Sequence, residues 1–408
     1  MKHFFKSVKE FAKKNKRFIP LVIIALVLLA TFLTFGRAAI NGNDPPDEST
    51  TIEETPSESL EPEPTTPEPT TPEPTETPDP TTLEPTETPE PEPTIPNKSP
   101  DGPANPLTGL PLAEDAVGKK PKAIMLDNVK VAMPHLGVSK ADIIYEVPVE
   151  GAYTRMMAVF QDVSEAGVIG GVRSSRHYFI DIAQSYDAVY IFAGGSPQAY
   201  DALAARSITR LDGTNGQHRE IFYRDQQRAN KIGAVHSYVT SSELIAKWLP
   251  TYNNFKLDHD AGYKSELSFT EDGTPSGGVT AQDFSVKLTS IKSTSFKYNS
   301  DDKYEVSQHG GAYIDGNSGI QIAVTNVLII KTSISGIPGD KEGRLNVTTT
   351  GSGTGHFVCG GKAIEIKWSK PTSTSQFSYT LTDGTPLQLG QGKTFICVVP
   401  KESNVEFK

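Results

Sequence analysis

Seventeen prolines fall within residues 45–100, where Glu and Thr occupy most of the other positions. The sequence Thr-Pro-Glu-Pro-Thr occurs at 66–70 and again directly afterwards at 71–75. Such a segment has almost no apolar surface to bury and its acidic side chains repel one another, so it cannot form a core. Proline-rich chains favour polyproline II at about 3.1 Å per residue, which gives a fully extended length of roughly 170 Å. We therefore predict a disordered stalk over 37–102.

A basic segment followed by an apolar one precedes this stalk. Seven Lys or Arg residues fall within residues 1–17, whereas residues 18–35 contain no charged residue and are largely apolar. A helix of that length spans about 27 Å, close to the hydrocarbon thickness of a bilayer. Since basic flanks stay in the cytoplasm, we predict a cytoplasmic segment at 1–17 and a single-pass signal anchor at 18–36 in the cell membrane, with the C-terminal bulk extracytoplasmic.

A cleaved signal peptide is the alternative to this anchor. Its apolar core is normally shorter, about 7–15 residues, and Arg-Ala-Ala at 37–39 is a poor cleavage site. A lipid-modified N-terminus is not expected at this position, because no cysteine follows the apolar run.

Net charge differs sharply between segments. Residues 1–37 carry eight basic residues and one acidic residue, and residues 38–97 carry sixteen acidic residues and no basic one. The 31 basic and 32 acidic residues of 98–408 nearly cancel. Because nucleic-acid-binding domains need a strongly basic face, we predict no nucleic-acid partner.

The rest of the chain divides into two halves with different patterns. Over 103–252, strand-like runs alternate with helical ones, which predicts an α/β (or α+β) domain. Over 279–408, strand-like runs are separated by Asp-Gly and Gly-Gly pairs, which predicts a β-rich domain, either a sandwich or a barrel-like sheet. Residues 253–278 are predicted to link them. The predicted strands are 122–128, 142–149, 155–161, 188–193, 319–331, 356–368 and 393–399, and the predicted helices are 175–186, 197–206 and one that begins near Ser241.

The two cysteines, Cys359 and Cys397, both fall in predicted strands of the second half. A disulfide between them would contribute roughly 3–4 kcal/mol in the chain-entropy model. Two separate buried thiols that act as small apolar side chains are an equally good interpretation. Neither interpretation is catalytic.

Two glycine-containing turns of the first half are its most informative motifs. Residues 170–176 read Gly-Gly-Val-Arg-Ser-Ser-Arg before a predicted helix with Ser174 as its N-cap, and residues 194–197 read Gly-Gly-Ser-Pro before the next helix. Helix N-termini and guanidinium groups bind phosphate and carboxylate. If the preceding strands are neighbours, both turns open at the carboxyl edge of the sheet, where α/β domains usually bind ligands. We predict an anion site that includes Arg155, Arg173, Ser174, Arg176, Gly194, Gly195 and Ser196.

The alternative is that these turns only cap helices and that the arginines pair with nearby acids such as Glu146, Glu150 and Asp181. The acidic candidates for the site itself are Asp127, Asp142, Glu146 and Glu150. Glu146 and Glu150 are four residues apart in an extended segment. Because this is an even number, a regular strand would place them on one face. Glycoside hydrolysis requires two such carboxylates across a cleft.

Histidines offer a further candidate base. His236, followed by Ser237, could supply a base or a nucleophile, but no nucleophile elbow accompanies them. The eight histidines lack zinc-site spacing, and the glycine pattern matches neither the dinucleotide-binding motif nor the Walker loop. We predict no metal site and no cofactor.

Several segments together resemble a known family. They are NPLTGLPL at 105–112, the segment 142–161 with Thr-Arg-Met-Met at 154–157, VRSSR at 172–176, AGGSP at 193–197 and KTFICVVP at 393–400. In this order they resemble the YerB-like family (domain of unknown function 3048) of bacterial envelope proteins, many of which are described as lipoproteins. The resemblance covers roughly 105–408. It implies an extracytoplasmic protein with two domains and supplies no established activity.

The chain departs from the family pattern in three places. It lacks the lipid-attachment cysteine, which favours the helical anchor. Gly171 stands where the family pattern has Pro, and Phe192 stands where His often precedes Ala-Gly-Gly-Ser-Pro. The last difference weakens any role for that histidine.

We expect a non-enzymatic envelope protein that binds an anionic wall polymer, a lipid-linked glycan or a protein partner through its first half. The alternative is an envelope enzyme that acts on wall polymers, either a glycan hydrolase or a phosphotransferase. The phosphotransferase would be similar to the LytR-CpsA-Psr enzymes. In it, Asp142 would position a divalent metal while Arg155, Arg173 and Arg176 hold a pyrophosphate.

Overall fold

The computed structural model describes residues 102–408. The predicted cytoplasmic segment at 1–17, the predicted anchor at 18–36 and all of the predicted stalk except its last residue lie outside the described residues. Among residues 102–408, no helix is long and apolar enough to cross a membrane.

Strands and short helices alternate in the first half of the described chain. Its strands are β1 Lys122–Asp127, β2 Ile143–Pro148, β3 Thr154–Phe160, β4 Val168–Gly170, β5 Val189–Phe192, β6 Arg210–Asp212, β7 Tyr223–Arg224 and β8 Tyr238–Ser241. Its α-helices are α1 His177–Ser185, α2 Pro197–Ala205, α3 Gln226–Ile232 and α4 Ser242–Trp248. Its 3₁₀ helices are Glu114–Ala116, Lys130–Ala132, Val138–Lys140, Glu150–Ala152, Gly216–Ile221, Ala234–His236 and Leu249–Thr251.

Strands dominate the second half. They are β9 Phe269–Thr270, β10 Val279–Thr280, β11 Asp283–Lys287, β12 Ser293–Tyr298, β13 Tyr304–Gln308, β14 Gly311–Ala312, β15 Ala323–Val324, β16 Asn326–Thr332, β17 Ile334–Gly336, β18 Leu345–Val347, β19 Gly351–Cys359, β20 Lys362–Lys370, β21 Ser378–Leu381, β22 Leu389–Gly390 and β23 Thr394–Pro400. The predicted change of pattern is confirmed, because the α-helices of the described residues all precede residue 249. The predicted strands β1, β2, β3 and β5 and the predicted helices α1, α2 and α4 are present, whereas the sequence patterns did not predict α3.

One mixed sheet of eleven strands runs through both halves. Its order is β10-β20-β19-β16-β23-β2-β3-β1-β5-β6, and β21 also pairs with β20. The halves join where β2 pairs in parallel with β23, so that Ile144 lies opposite Phe395. The segment predicted as a linker therefore connects parts of the chain that share one sheet.

The two faces of this sheet carry different layers. Ile144 and Met156 belong to one apolar cluster, whereas their neighbours Tyr145 and Met157 belong to the other. This alternation follows from the two-residue period of a strand. Helices α1 and α2 pack on the Tyr145 face. The Ile144 face packs against side chains of a separate five-stranded sheet formed by β11 to β15, Phe296 among them. The second half thus contains a sandwich, one of the two arrangements that the sequence predicted.

The two cysteines are free and buried, so the disulfide interpretation is wrong. Cys397 faces one apolar cluster and Cys359 the other. Their strands also lie on opposite sides of β16, about 10 Å apart at the usual strand spacing, which is beyond disulfide reach.

We expect neither thiol to react with a thiol reagent in the native protein, because burial raises the pKa of Cys359 to about 11 and that of Cys397 well above its ordinary value. Two thiols should be titrated by Ellman's reagent in denaturant, and a reductant should leave the melting temperature unchanged. A lower melting temperature in reductant would instead reveal a bridge.

Candidate functional site

The parallel strands β1, β5 and β6 end at one edge of the large sheet, and their last residues are Asp127, Phe192 and Asp212. Strand β3 runs antiparallel to β1 and begins at the same edge, so Arg155 pairs in register with Asp127. The turns at 170–176 and 194–197 open there as well. We call this the carboxyl edge.

Asp127 lies at the centre of the carboxyl edge with a nearly buried side chain. Its Oδ2 atom is 2.7 Å from Nδ1 of His236 and 3.2 Å from Nε of Arg173. The side chain of Arg173 is 30% exposed and that of His236 is 20% exposed. A guanidinium and an imidazole therefore share one carboxylate oxygen, and both remain accessible to solvent.

The main chain of Asp127 is held from both sides. Its N–H donates to the carbonyl of Gly171 at 2.9 Å, and its carbonyl contacts Nε2 of His135. The other nitrogen of His135 lies 2.6 Å from the hydroxyl of Tyr313, which belongs to the second half of the chain. Burial lowers the pKa of His135 to about 4, so this ring is neutral at pH 7. An isolated histidine in an irregular segment gave no signal of this role in the sequence.

Arg155 and Arg176 support the main chain of the first turn. Nη1 of Arg155 donates to the carbonyl of Ser174, and Nη1 of Arg176 donates to that of Ser175, both at 2.7 Å. Arg176 also forms a two-pronged ion pair with Glu150, which lies 3.9 Å from Arg155. Burial lowers the pKa of Arg155 to about 10, which leaves it charged at pH 7. Both arginines therefore lie near a local acid, Glu150, as the alternative interpretation expects.

Ser174 does not cap a helix, so that prediction is wrong. Helix α1 begins at His177, its N-cap residue is Arg176, and no side-chain hydrogen bond caps it. The reason is that the preceding residues are extended, and Ser175 forms a parallel bridge with Gly195 of the second turn. The two glycine-containing turns therefore lie side by side.

The second turn has the predicted cap. The Oγ atom of Ser196 accepts a bond from the N–H of Ala199 at 3.1 Å, and Pro197 begins α2. Helix α4 likewise begins with Ser241 as its N-cap. Both caps could be recognised in the sequence because they depend only on residues within one helical turn.

Hydrogen bonds to Asp212 stabilise the second turn, a role that the sequence patterns do not predict. Its Oδ1 atom accepts bonds from the N–H of Gly194 at 2.9 Å and the hydroxyl of Thr214 at 2.8 Å. Its Oδ2 atom accepts the hydroxyl of Tyr200 at 3.0 Å. Asp212 ends a strand of three residues, which is too short for a periodic pattern to reveal.

Glu146 and Glu150 do not form a catalytic pair, which corrects the glycan-hydrolase interpretation. Glu150 lies beyond the end of β2 in a 3₁₀ turn, so the regular spacing is broken. Glu146 is 0% exposed and its Oε1 atom lies 3.0 Å from Nζ of Lys292. Asp181 pairs with Arg206. The other donors to Glu146 are Asn128, Thr154, Thr294 and Gln308.

Asp142 lies at the opposite end of β2 from the arginines, about 17 Å away along the strand. It accepts bonds from the side-chain amide of Asn105 at 3.0 Å and from the main-chain N–H of Gln161 at 2.6 Å. The proposed metal and pyrophosphate arrangement of Asp142 with Arg155, Arg173 and Arg176 is therefore not assembled.

Burial raises the pKa of Asp142 to about 6 from its ordinary 3.8, even though the bonds from Gln161 and Asn105 oppose this shift. The folded state thus holds the proton more tightly than the unfolded state. The stabilisation that comes from holding this proton is complete below pH 3.8. It is lost as the pH rises from 3.8 through about 6. We expect this loss to lower the free energy of unfolding by up to about 3 kcal/mol across that range.

Asp142→Asn should make the urea-derived free energy of unfolding flatter between pH 4 and 7. Asp301→Asn, which changes an exposed carboxylate of the second half, is the matched control and should retain the wild-type slope. Identical slopes for Asp142→Asn and wild type would contradict the shift.

Within residues 102–408, no three His, Cys, Asp or Glu side chains gather in a way that could hold a metal ion. The absence of a metal and of a cofactor stays a prediction, as does the anion site.

Most of the described chain is similar to known proteins. The N-terminal domain of a protein of unknown function (DUF3048) matches residues 107–253, and the C-terminal domain of the same family matches residues 284–396. YerB of Bacillus subtilis (strain 168), named as a candidate lipoprotein, is 29% identical over 302 residues, which are 72% of this chain and 86% of that protein. The crystal structure of YerB from Bacillus subtilis is similar with a TM-score of 0.63 at 26% identity, and the match covers 74% of this chain and 99% of that chain.

Proposed function

Because the chain belongs to the DUF3048 family, we propose that it is an envelope protein that binds an anionic group of a wall polymer or lipid-linked glycan at the carboxyl edge. The similarity to a protein named as a candidate lipoprotein supports the envelope location. In this chain the apolar segment 18–36 serves as the anchor in place of a lipid, since no cysteine lies directly after it. The folded part lies outside the cell membrane, and the stalk separates it from the anchor.

The partly exposed guanidinium of Arg173 carries this proposal. Its main chain is tied to both neighbouring strands, because its N–H donates to Met125 and its carbonyl accepts from Ala193, each at 3.0 Å. Asp127 holds the Nε side of the guanidinium. The remaining N–H groups can form the two-pronged contact that guanidinium makes with phosphate or carboxylate. Of the three predicted arginines, only Arg173 is not committed to the support of the turn.

The test is binding of the full chain, purified in detergent, to teichoic-acid polymer, peptidoglycan fragments and a polyprenyl phosphate. A ligand at 100 times its dissociation constant should add about 2.7 kcal/mol of stability, which a thermal shift detects. Arg173→Ala should weaken binding at least ten-fold, since hydrogen bonds to charged groups contribute about 1.5–3 kcal/mol. Arg173→Lys should retain part of the affinity.

Arg219→Ala is the matched control, because the side chain of Arg219 is 80% exposed and forms an ion pair with its neighbour Glu220. Equal affinities of Arg173→Ala and Arg219→Ala for every probe would reject the site. If no probe binds, we would expect the chain to bind a protein partner instead. Crosslinking at the cell surface would identify that partner.

One observation keeps an enzyme as the second candidate. Asp127 engages Nδ1 of His236, which leaves Nε2 to act as a base, as in the His-Asp part of a catalytic triad. Ser237 is not its nucleophile, because that hydroxyl is buried and donates to the carbonyl of Ala234 at 2.8 Å. The nucleophile would have to come from the substrate or water. Turnover of a bound wall polymer that His236→Ala abolishes, while binding persists, would favour this candidate.

A further inference from the structure

A cavity of about 810 Å³ lies in the second half of the chain, and no residue of the carboxyl edge lines it. Its walls are formed by the segments 270–279 and 381–388, by residues 363–365 near the start of β20, by residues 356–357 of β19, and by Phe407 near the C-terminus. We call it the β20 cavity.

The cavity lies where the outer edge of β20 has a gap. Strand β10 pairs with residues 362–363 of β20, and β21 pairs with residues 366–369 on the same edge. Residues 364–365 belong to neither ladder, although both pair with β19 on the inner side. Two short strands thus cover the ends of this edge and leave its middle open.

The phase of the ladder determines which main-chain groups face this gap. In an antiparallel strand, the N–H and C=O of alternate residues point to the same side. Cys359 and Lys362 flank the two-residue turn at 360–361, so the N–H and C=O of Lys362 face β19. By that alternation, the N–H and C=O of Glu365 point outward, into the opening between β10 and β21.

The charge of the lining is negative. Three carboxylates line the cavity, from Asp272, Glu365 and Asp383. Hydrogen bonds from Thr274 and Thr385 lower the pKa of Asp272 and Asp383, so both are ionised at pH 7. None of the described residues that line the cavity is Lys or Arg, but Lys362 and Lys367 of β20 lie close enough to help lower the pKa of Asp272 and Asp383. Burial lowers the pKa of His356, which also lines the cavity and is neutral at pH 7.

We propose that the β20 cavity binds a short extended peptide that carries a primary amine. The peptide main chain pairs with the N–H and C=O of Glu365, as a strand added to a sheet edge does. Its ammonium group lies in the cavity that Asp272, Glu365 and Asp383 line, and the hydroxyl of Ser276 lines the same cavity. This inference is independent of the anion site, because the two sites share no residue and prefer opposite charges.

The probe is the blocked tripeptide N-acetyl-Ala-Lys-Ala-amide, titrated calorimetrically into the full chain in detergent. Its twin with an acetylated lysine side chain removes the ammonium charge, and a twin with an N-methylated lysine peptide group blocks strand pairing. We expect both twins to bind at least five-fold more weakly. Glu365→Gln should weaken binding of the lysine peptide about two- to five-fold, as expected for an exposed ion pair.

Thr382→Trp should abolish binding by filling the cavity from its exposed rim. The matched control is Glu402→Gln, an exposed carboxylate outside the lining, which should bind as wild type does. All three variants should melt at the wild-type temperature. The proposal is overturned if the lysine and acetyl-lysine peptides bind equally, or if Glu402→Gln weakens binding as much as Glu365→Gln does. It is also overturned if only a neutral oligosaccharide such as chitotriose binds, or if no heat is seen at millimolar peptide.

Discussion

Replacing Glu146 by Gln should lower the free energy of unfolding by about 3–5 kcal/mol, the cost of leaving one member of a buried ion pair without its partner. Lys292 would then be a buried ammonium 3.0 Å from a neutral amide. Burial alone would raise the pKa of Glu146, but Lys292 and the hydroxyl donors hold that pKa below its ordinary value. The carboxylate is therefore ionised and the pair is charged in the folded state.

Urea unfolding of the double variant Glu146→Gln/Lys292→Met tests this interpretation. If the cost comes from the uncompensated charge, the double variant should be more stable than Glu146→Gln alone, and the two changes should couple by 2 kcal/mol or more, a magnitude typical of contacting residues. Lys119→Ala, which breaks an exposed pair with Asp258, should change stability by less than about 1 kcal/mol. Equal costs for Glu146→Gln and Lys119→Ala would contradict the prediction.

Phe395→Ala should destabilise both halves of the folded chain together, by about 3–5 kcal/mol. Phe395 is fully buried on β23, opposite Ile144 of β2 in the parallel ladder that joins the halves. Because one sheet and one apolar cluster include side chains of both halves, neither half can lose its packing alone.

The two tryptophans allow each half to be followed separately. Trp248 lies in the first half and Trp368 in the second, so Trp248→Phe and Trp368→Phe each leave one reporter. The fluorescence of each reporter should show a single urea transition, and Phe395→Ala should shift its midpoint by the same amount in both backgrounds. Ile144→Val, which removes only one methyl group, should cost about 0.5–1.5 kcal/mol. Separate transitions for the two reporters would show that the halves unfold independently.

The arrangement of residues at the carboxyl edge was only partly predictable from the sequence. The glycine-containing turns, the Ser196 cap and the clustering of arginines could be recognised because each depends on residues close together in the chain. The different partners of the three arginines could not be recognised from the sequence. Arg173 pairs with Asp127 and keeps about a third of its side chain accessible, whereas Arg155 and Arg176 are bound to Glu150 and to carbonyl oxygens of the turn.

The alternation of strands and helices in the first half, the β-rich second half and the position of the two turns follow from the sequence alone. Hydrophobic periodicity and capping are local, since they are set by the residue before and the few residues after. Three other features depend on the three-dimensional packing: β2 pairs with β23, Glu146 is buried against Lys292, and Asp142 lies at the far end of its strand. These outcomes depend on which distant strand supplies the neighbour. A carboxylate next to a strand has the same local sequence whether it meets solvent, an arginine or a buried lysine.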